Sequence, residues 1–311
     1  MAEFDMVMDA REKISLRLRE LYQKNGFTRY RMSKFEEYDL YSRNKDFLMS
    51  ENVITFNDVS GRLLALKPDV TLSIVKNGKD CGDGIQKVYY HENVYRVASP
   101  EEGFREMDQV GIECMGRIDG SVIREVLGLA AESLETLGRK YVLAVSQLEI
   151  LRKVVENLST DRGATEELLT CAREKNTHGI EEICRKYGLD EQGGQRLIRL
   201  IRMDGPAKDK MDEVRALSKE IGMEGAADEL NDALSDLNTD SVWIDFSATG
   251  NLRYYNGIAF QGFLDGAPGS VLSGGQYDGL MRRMGRKDRA IGFAVFLNQL
   301  ERLPEEGCGN A

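Results

Sequence analysis

The segment from Phe104 to Gly116, FREMDQVGIECMG, reads as a strand with an unusual face. A strand turns successive side chains to opposite sides. Gln109 and Glu113 therefore share one face with Gly111 between them, while Val110, Ile112 and Cys114 share the other. A buried carboxylate without a partner costs several kcal/mol, so either an internal salt bridge or a ligand must meet Glu113. Gly111 leaves open the space between the two polar groups and would let a ligand lie against the backbone.

Three further polar groups stand elsewhere in the chain: Lys67-Pro68-Asp69-Val70-Thr71; Arg96; and Tyr254-Tyr255-Asn256-Gly257 with Ser273-Gly274-Gly275-Gln276-Tyr277-Asp278-Gly279. Each has a plain structural alternative. Asp69 and Thr71 can cap a helix after the proline. Arg96 can pair with a surface carboxylate, the tyrosines can be core aromatics, and Gly274-Gly275 can be a turn. Taken together, the set suits a small zwitterion. Carboxylates and a threonine hydroxyl suit an ammonium group, and an amide or arginine suits a carboxylate. Tyrosine with glutamate can bind a ring with one donor and one acceptor nitrogen.

The elements that must position these groups follow from pattern. Residues 5–24 carry an apolar stripe at Ile14, Leu18, Leu21 and Tyr22 and read as a helix stopped by Asn25-Gly26. An extended piece, GFTRYRMSKFEEYDLY, leads to a hairpin, VITFND and RLLALKPD, turning at Val59-Ser60-Gly61. A helix can start after Pro68. Two strands, IQKVYYHENVYRV and FREMDQVGIECMG, flank the loop 98–103, and Ser121 can cap the next helix before the strand YVLAVSQ. Residues 148–238 are charged, helical in texture and nearly free of aromatics, with stops at His178-Gly179 and Asp204-Gly205-Pro206. Strand patterns return in VWIDFSA, YYNGIAFQGFL and SVLSGG, and the stretch from about Ala290 to Leu303 reads as a closing helix. The fold class is α+β: a core domain of 1–147 and 239–311 on an antiparallel sheet flanked by helices, with 148–238 as a helical insertion subdomain.

Bulk properties narrow the function. The 311 residues carry a net charge of −10, and the basic cluster from Arg282 to Arg289 is a local exception. Nucleic-acid binding relies on a basic stripe, so charge argues against it. No apolar run is long enough for a membrane span, and the acidic start MAEFDMVMDAREK has no signal-peptide core. Five dispersed cysteines (Cys81, Cys114, Cys171, Cys184, Cys308) and two histidines (His91, His178) give no zinc spacing and suit free thiols in a reducing cytoplasm. No cofactor or metal is expected.

The segments LALKPDVT, VYRVASPEEGFREMDQVGIE, YYNGIAF, SGGQYDGL and AIGFAVFLNQLERL stand in the order of a known family. On them the chain resembles the class II catalytic domain of histidyl-tRNA synthetases, over most of its length outside the helical insertion. The resemblance implies a class II aminoacyl-tRNA synthetase-like fold and a histidine seat. Asp69, where a glutamate is usual, and Thr71 would hold the α-amino group, and Gln109 would face the carboxylate. Glu113 and Tyr255 would read the imidazole, Tyr254 and Tyr277 would wall the pocket, and Gly274 and Gly275 would admit close backbone approach.

The departures from that family are equally specific. Gly250 stands where the synthetases carry an arginine before the paired tyrosines, Asn298-Gln299 replace Glu-Arg, and Phe296 replaces a glycine. Ala98 replaces an acidic residue, and Ser33 the proline of the first motif. Arg96 and Arg105 remain of the nucleotide set; Arg253 falls three residues beyond the lost arginine, where strand alternation would turn it away. Activation of an amino acid relies on preorganised positive charge at the phosphates, so adenylation is expected to be lost and no residue is assigned a catalytic role. Only PEEGCGNA follows the closing helix, so the anticodon-binding domain of full synthetases, and with it tRNA, is not expected.

These features resemble the regulatory subunits of ATP phosphoribosyltransferase, the synthetase paralogues of the first step of histidine biosynthesis. That resemblance implies a homodimer within a hetero-oligomer with the short-form catalytic subunit, and histidine as feedback effector. Two alternatives differ in class. One is a histidyl-tRNA synthetase-like catalytic domain or free-standing amino-acid-activating enzyme; the other is a binding module with no histidine affinity.

Overall fold

The computed structural model describes residues 8–48, 52–79, 81–99, 103–237, 240–250, 252 and 254–300. Asn251, Arg253, Cys308, the segment PEEGCGNA and the side chain of Ala98 lie outside what is described.

Helix α1 (Ala10–Lys24) starts at Asp9, whose carboxylate accepts from Glu12 N while Glu12 reaches back to Asp9 N. Such a capping box satisfies two end donors at once, which sets the start of this helix at Ala10; residues 5–7 of the expected helix lie outside the described residues. After β1 (Thr28–Arg29) and β2 (Phe35–Glu37), the end of the expected extended piece is instead a short helix, α2 (Tyr38–Ser42). The hairpin strands β3 (Thr55–Asn57) and β4 (Leu63–Leu66) form a small antiparallel sheet with β2, in the order β2-β4-β3. Helix α3 (Thr71–Asn77) follows Pro68, and Asp69 Oδ1 accepts from Leu72 N at 2.8 Å.

The long hairpin of β5 (Ile85–Ser99) and β6 (Gly103–Gly116) leads to α4 (Gly120–Thr136) and β7 (Tyr141–Gln147). The cap of α4 is Asp119, which accepts from both Ser121 N and Val122 N, and not Ser121 as its sequence position suggested. The helical stretch comprises α5 (Leu148–Leu158), α6 (Arg162–Arg173), α7 (Thr177–Tyr187), α8 (Glu191–Ile201), α9 (Ala207–Glu220) and α10 (Glu224–Leu234). His178-Gly179 does not stop a helix; it lies in the first turn of α7, where Asn176 caps Gly179 N at 2.8 Å. Asp204-Gly205-Pro206 does break the run, forming the two-residue β8 (Gly205–Pro206). Strands β9 (Val242–Ile244), β10 (Asn256–Leu264) and β11 (Ser270–Gln276) precede α11 (Asp278–Arg283), β12 (Arg289–Phe296) and α12 (Leu297–Leu300).

The expected closing helix from Ala290 is therefore mostly a strand. Ala290 to Phe296 is a nearly unbroken apolar run, and such a run has no period to separate a buried strand from a buried helix. Pairing decides: β12 lies antiparallel between β6 and β11. The main sheet runs β1-β5-β6-β12-β11-β10-β7-β9-β8, antiparallel from β5 through to β7, with parallel pairs at β1–β5 and β7–β9.

The two faces of this sheet bury different things. Val110, Ile112, Phe293 and Val295 meet Leu18 and Tyr22 of α1 and the apolar face of α4 in a core that continues into α5–α10 without a break. Tyr22 stands edge-on to Phe293 and shares a 2.9 Å hydrogen bond with Ser133. Full burial contributes about 1.5–3 kcal/mol per large aliphatic or aromatic side chain, so this face anchors the sheet. The opposite face carries a smaller cluster, with Tyr41, Val70, Tyr90, Tyr254 and Tyr277, and that is where polar groups are held. Among the described residues no helix is long and apolar enough to cross a membrane.

Candidate functional site

Register builds the floor of the site. On β6, Gln109, Gly111 and Glu113 stand directly opposite Phe296, Ala294 and Gly292 of β12; Gly292 and Ala294 in turn stand opposite Gly275 and Ser273 of β11. Directly opposed residues project to the same face, so the centre of the sheet is paved with small residues. Gly292 has no room for a side chain: a Cβ there would overlap Glu113 Oε2 and the Ile112 carbonyl. Gly275 lets the Tyr255 ring lie on β11, since a Cβ there would come within 2.8 Å of Tyr255 Cδ1.

Gly111 plays a different part from the one its sequence position suggested. A Cβ at Gly111 would lie 2.5 Å from the Tyr90 hydroxyl, so the ring of Tyr90, from the neighbouring β5, occupies the space between Gln109 and Glu113. The glycine admits a protein ring there, rather than leaving bare backbone for a ligand.

Three elements wall the floor. The start of α3 brings Asp69 and Thr71, the segment before β10 brings Tyr254 and Tyr255, and the start of α11 brings Tyr277. They enclose a cavity of about 60 Å³ lined also by Arg96, Gln109, Glu113, Ser273 and Phe296. Thr71 Oγ1 donates to Glu113 Oε1 and the Tyr277 hydroxyl donates to Glu113 Oε2, each at 2.6 Å. Asp69 is held from two sides: it caps α3 and has Arg96 Nη2 3.6 Å from its Oδ2, while Arg96 Nε donates to Pro68 O at 2.6 Å. Tyr254 packs edge-on to Tyr255 at 4.9 Å and tilts over Tyr277 at 5.8 Å.

The electrostatics follow from burial. Glu113 is 3% exposed, and desolvation pushes its carboxyl up to about 8; the two hydroxyl donors pull it down in part and Asp69 adds repulsion. Burial also raises Asp69, opposed by the Arg96 charge. Burial keeps Tyr90, Tyr254 and Tyr277 protonated well beyond the ordinary phenol range, so they remain donors. Desolvation favours the neutral form of both carboxyl groups, and a cationic group entering the cavity would favour their ionised form and pair with it. Gln109 Nε2 is buried and has no hydrogen-bond partner among the described residues. An unsatisfied buried amide calls for an acceptor.

The fold thus brings Asp69, Thr71, Gln109, Glu113, Tyr254, Tyr255, Tyr277 and Arg96 to one cavity. Gly274 is placed on the other face, where a Cβ would meet Phe260 and Phe293 at 2.5 Å. Arg105 sits opposite Arg96 in the hairpin, is exposed, and does not line the cavity. Ser273, named within its polar cluster but given no role there, also lines the cavity, and sequence reasoning missed Tyr90, Gly292 and Ala294 as lining residues. The signal for Gly292 was a glycine inside an apolar run, which marks close approach once that run is taken as a strand.

The side that would face a nucleotide is built otherwise. Gly250 has φ +56°, a left-handed conformation that side chains rarely adopt, and a Cβ there would lie 3.0 Å from the Tyr255 ring. Asn298 accepts from Asp108 N at 2.5 Å, so its side chain fastens α12 to β6. Among the described residues no group of three or more His, Cys, Asp and Glu side chains is placed to hold a metal.

The family model described as Histidyl-tRNA synthetase matches residues 5–300. The ATP phosphoribosyltransferase regulatory subunit of Thermoanaerobacter pseudethanolicus is 30% identical over 308 residues, covering 92% of this chain and 76% of the relative. Among solved structures, an ATP phosphoribosyltransferase regulatory subunit/histidyl-tRNA synthetase from Bacillus halodurans superposes with a TM-score of 0.82 at 22% identity, covering 94% of this chain and 79% of that one. A chain of the ATP phosphoribosyl transferase complex from Thermotoga maritima gives 0.71 at 18% identity, covering 93% and 98%. At those identities the structural likeness establishes the fold, a class II synthetase-like α+β sheet flanked by helices. On the family match and the identity to its relatives, the chain belongs to the histidyl-tRNA synthetase family, in its branch of ATP phosphoribosyltransferase regulatory subunits.

Proposed function

We propose that this chain is the non-catalytic regulatory subunit of ATP phosphoribosyltransferase, needed for the activity of a short-form catalytic subunit, and that its tyrosine-walled cavity binds histidine as feedback effector. The observation that carries the proposal is the buried, unpartnered amide of Gln109 in the same cavity as Glu113 and Asp69. A histidine offers the acceptor that Gln109 lacks and a cationic group with which the two carboxyls, once ionised, would pair. Asp69 and Thr71 would take the ammonium, Gln109 the carboxylate, and Glu113 with Tyr255 the imidazole. Because Thr71 and Tyr277 both donate to Glu113, one displacement by the ring would be felt by α3 and α11 together.

Adenylation is read as lost. At Gly250 the backbone and the Tyr255 ring both oppose a long side chain, and Phe296 borders the cavity opposite Gln109. Removing one preorganised transition-state donor costs about 100–1000-fold, and here two charged donors are absent by sequence. Phosphoribosyl transfer would proceed on the partner. Histidine would act by binding the inhibited assembly more tightly than the active one; a coupling of about 1–3 kcal/mol is typical. Cytoplasmic placement agrees with the free thiols of Cys81, Cys114, Cys171 and Cys184.

The test has three arms. Calorimetric titration with histidine should show binding; none would leave only the binding-module reading. Histidine-dependent pyrophosphate exchange with ATP should be absent; robust exchange would favour the activating-enzyme reading. Co-purification with the short-form catalytic subunit, with gain of its activity, should succeed.

A further inference from the structure

Among the described residues between β9 and β10, the segment that carries the two seat tyrosines has no helix or strand. Backbone carbonyls in such a segment must find partners elsewhere. Ser146 Oγ of β7 donates to Ala248 O at 3.3 Å. The carbonyls beside the tyrosines are met from outside the sheet: Arg152 Nη2, on α5, donates to Leu252 O at 2.6 Å and to Tyr255 O at 2.5 Å. Arg152 is partly buried and does not line the cavity. Burial lowers its pKa, but a guanidinium stays charged in proteins, so both bonds keep charge assistance.

The helix that supplies this arginine is itself fixed at its start. Gln147 Oε1 accepts from Glu149 N at 2.9 Å, and Gln147 Nε2 donates to Glu229 of α10 at 2.8 Å. Polar contacts thus tie α10 to the start of α5, and Arg152, further along the same helix, ties α5 to the tyrosine segment.

We propose that Arg152 is a positioning residue for the seat: from the helical stretch it clamps the carbonyls of Leu252 and Tyr255, and so sets where the Tyr255 ring stands over Gly275. Movement of α5 is then delivered to the effector cavity, which gives the helical stretch a part in regulation. The ligand arm of this inference rests on the histidine reading above; the clamp itself does not.

The test compares the full chain with Arg152→Met and Arg152→Lys, by amide exchange read by mass spectrometry and by calorimetric titration with L-histidine. In Arg152→Met, exchange over residues 248–258 should quicken at least tenfold while residues 108–116 stay unchanged, and histidine affinity should fall at least tenfold. Arg152→Lys keeps the charge with shorter reach and should fall between. Unchanged exchange over 248–258 would overturn the clamp. Exchange quickened alike in both segments would show general loosening and overturn it as well. Local quickening with unchanged histidine affinity would overturn the link to the seat. If the wild-type chain gives no histidine binding, the effector reading falls, and the exchange contrast still decides the clamp. Should Arg152→Met fail to fold, the lysine variant carries the same comparison.

Discussion

Two cavities of this molecule differ in ways that matter to a ligand. The cleft along α7, α8 and α9 is large, about 1140 Å³, and its charged border, including Arg185, Arg199 and Arg202, is exposed. Arg199 there already pairs with Glu220 at 2.7 Å. The seat on the sheet is far smaller, about 60 Å³, yet it holds two buried carboxyl groups and a buried amide without a partner. Exposed charges are solvated and contribute little, whereas a polar group held out of water is costly until something answers it. Size records how helices pack; incomplete pairing in a dry place is what supports the proposed seat.

The comparison can be broken most sharply at Gly292. Alanine there must push aside Glu113 and the Ile112 carbonyl, and overpacking of this kind costs about 1–3 kcal/mol. Urea denaturation should show that loss, and histidine binding should vanish; a stable variant that binds normally would contradict the packed floor.

Next comes Glu113→Gln. It should weaken histidine feedback at least tenfold while leaving basal, partner-dependent activity largely intact. The same variant tests linkage. Glu113 is raised in the folded chain from the ordinary 4.5 to about 8, so the folded state holds a proton that the unfolded state has released. The stability it contributes is full below 4.5 and is lost as pH rises through about 8. Wild-type stability should fall across that window, and the glutamine variant should show a flatter profile by urea titration.

Gln109→Leu should separate affinity from stability. Losing a hydrogen bond to a charged group costs about 1.5–3 kcal/mol, so histidine affinity should fall by about tenfold or more. Folding stability should hold or rise, because the unsatisfied amide is gone. A drop in stability without loss of affinity would place Gln109 in the framework instead.

The smallest effects are expected away from the seat's polar end. Gln299→Arg alone should yield no pyrophosphate exchange, because Gly250 and Phe296 are unchanged. Arg202→Ala at the helical cleft should shift stability by no more than about 0.5 kcal/mol, as surface substitutions do, and leave histidine affinity within about twofold. A large loss of affinity from the cleft variant would erase the contrast between the two cavities.

Much of this was legible in the chain itself. Alternation placed Gln109 and Glu113 on one face, and Pro68 followed by Asp69 announced the start of α3. Local pattern fixed those because a strand's two-residue period and a helix cap depend only on near neighbours. The failures fall where the deciding partner is remote. Ala290–Phe296 carries no period, and only pairing with β6 and β11 makes it a strand. Gly111 stood between two polar groups, but the ring that fills its space comes from Tyr90 on another strand. Gly274 and Gly275 are neighbours in sequence, yet the pleat sends one to the core and the other beneath Tyr255. Residue types and local spacing determined what chemistry this chain could hold; tertiary packing decided which of those groups are buried together, because desolvation and close contact depend on partners far away in sequence.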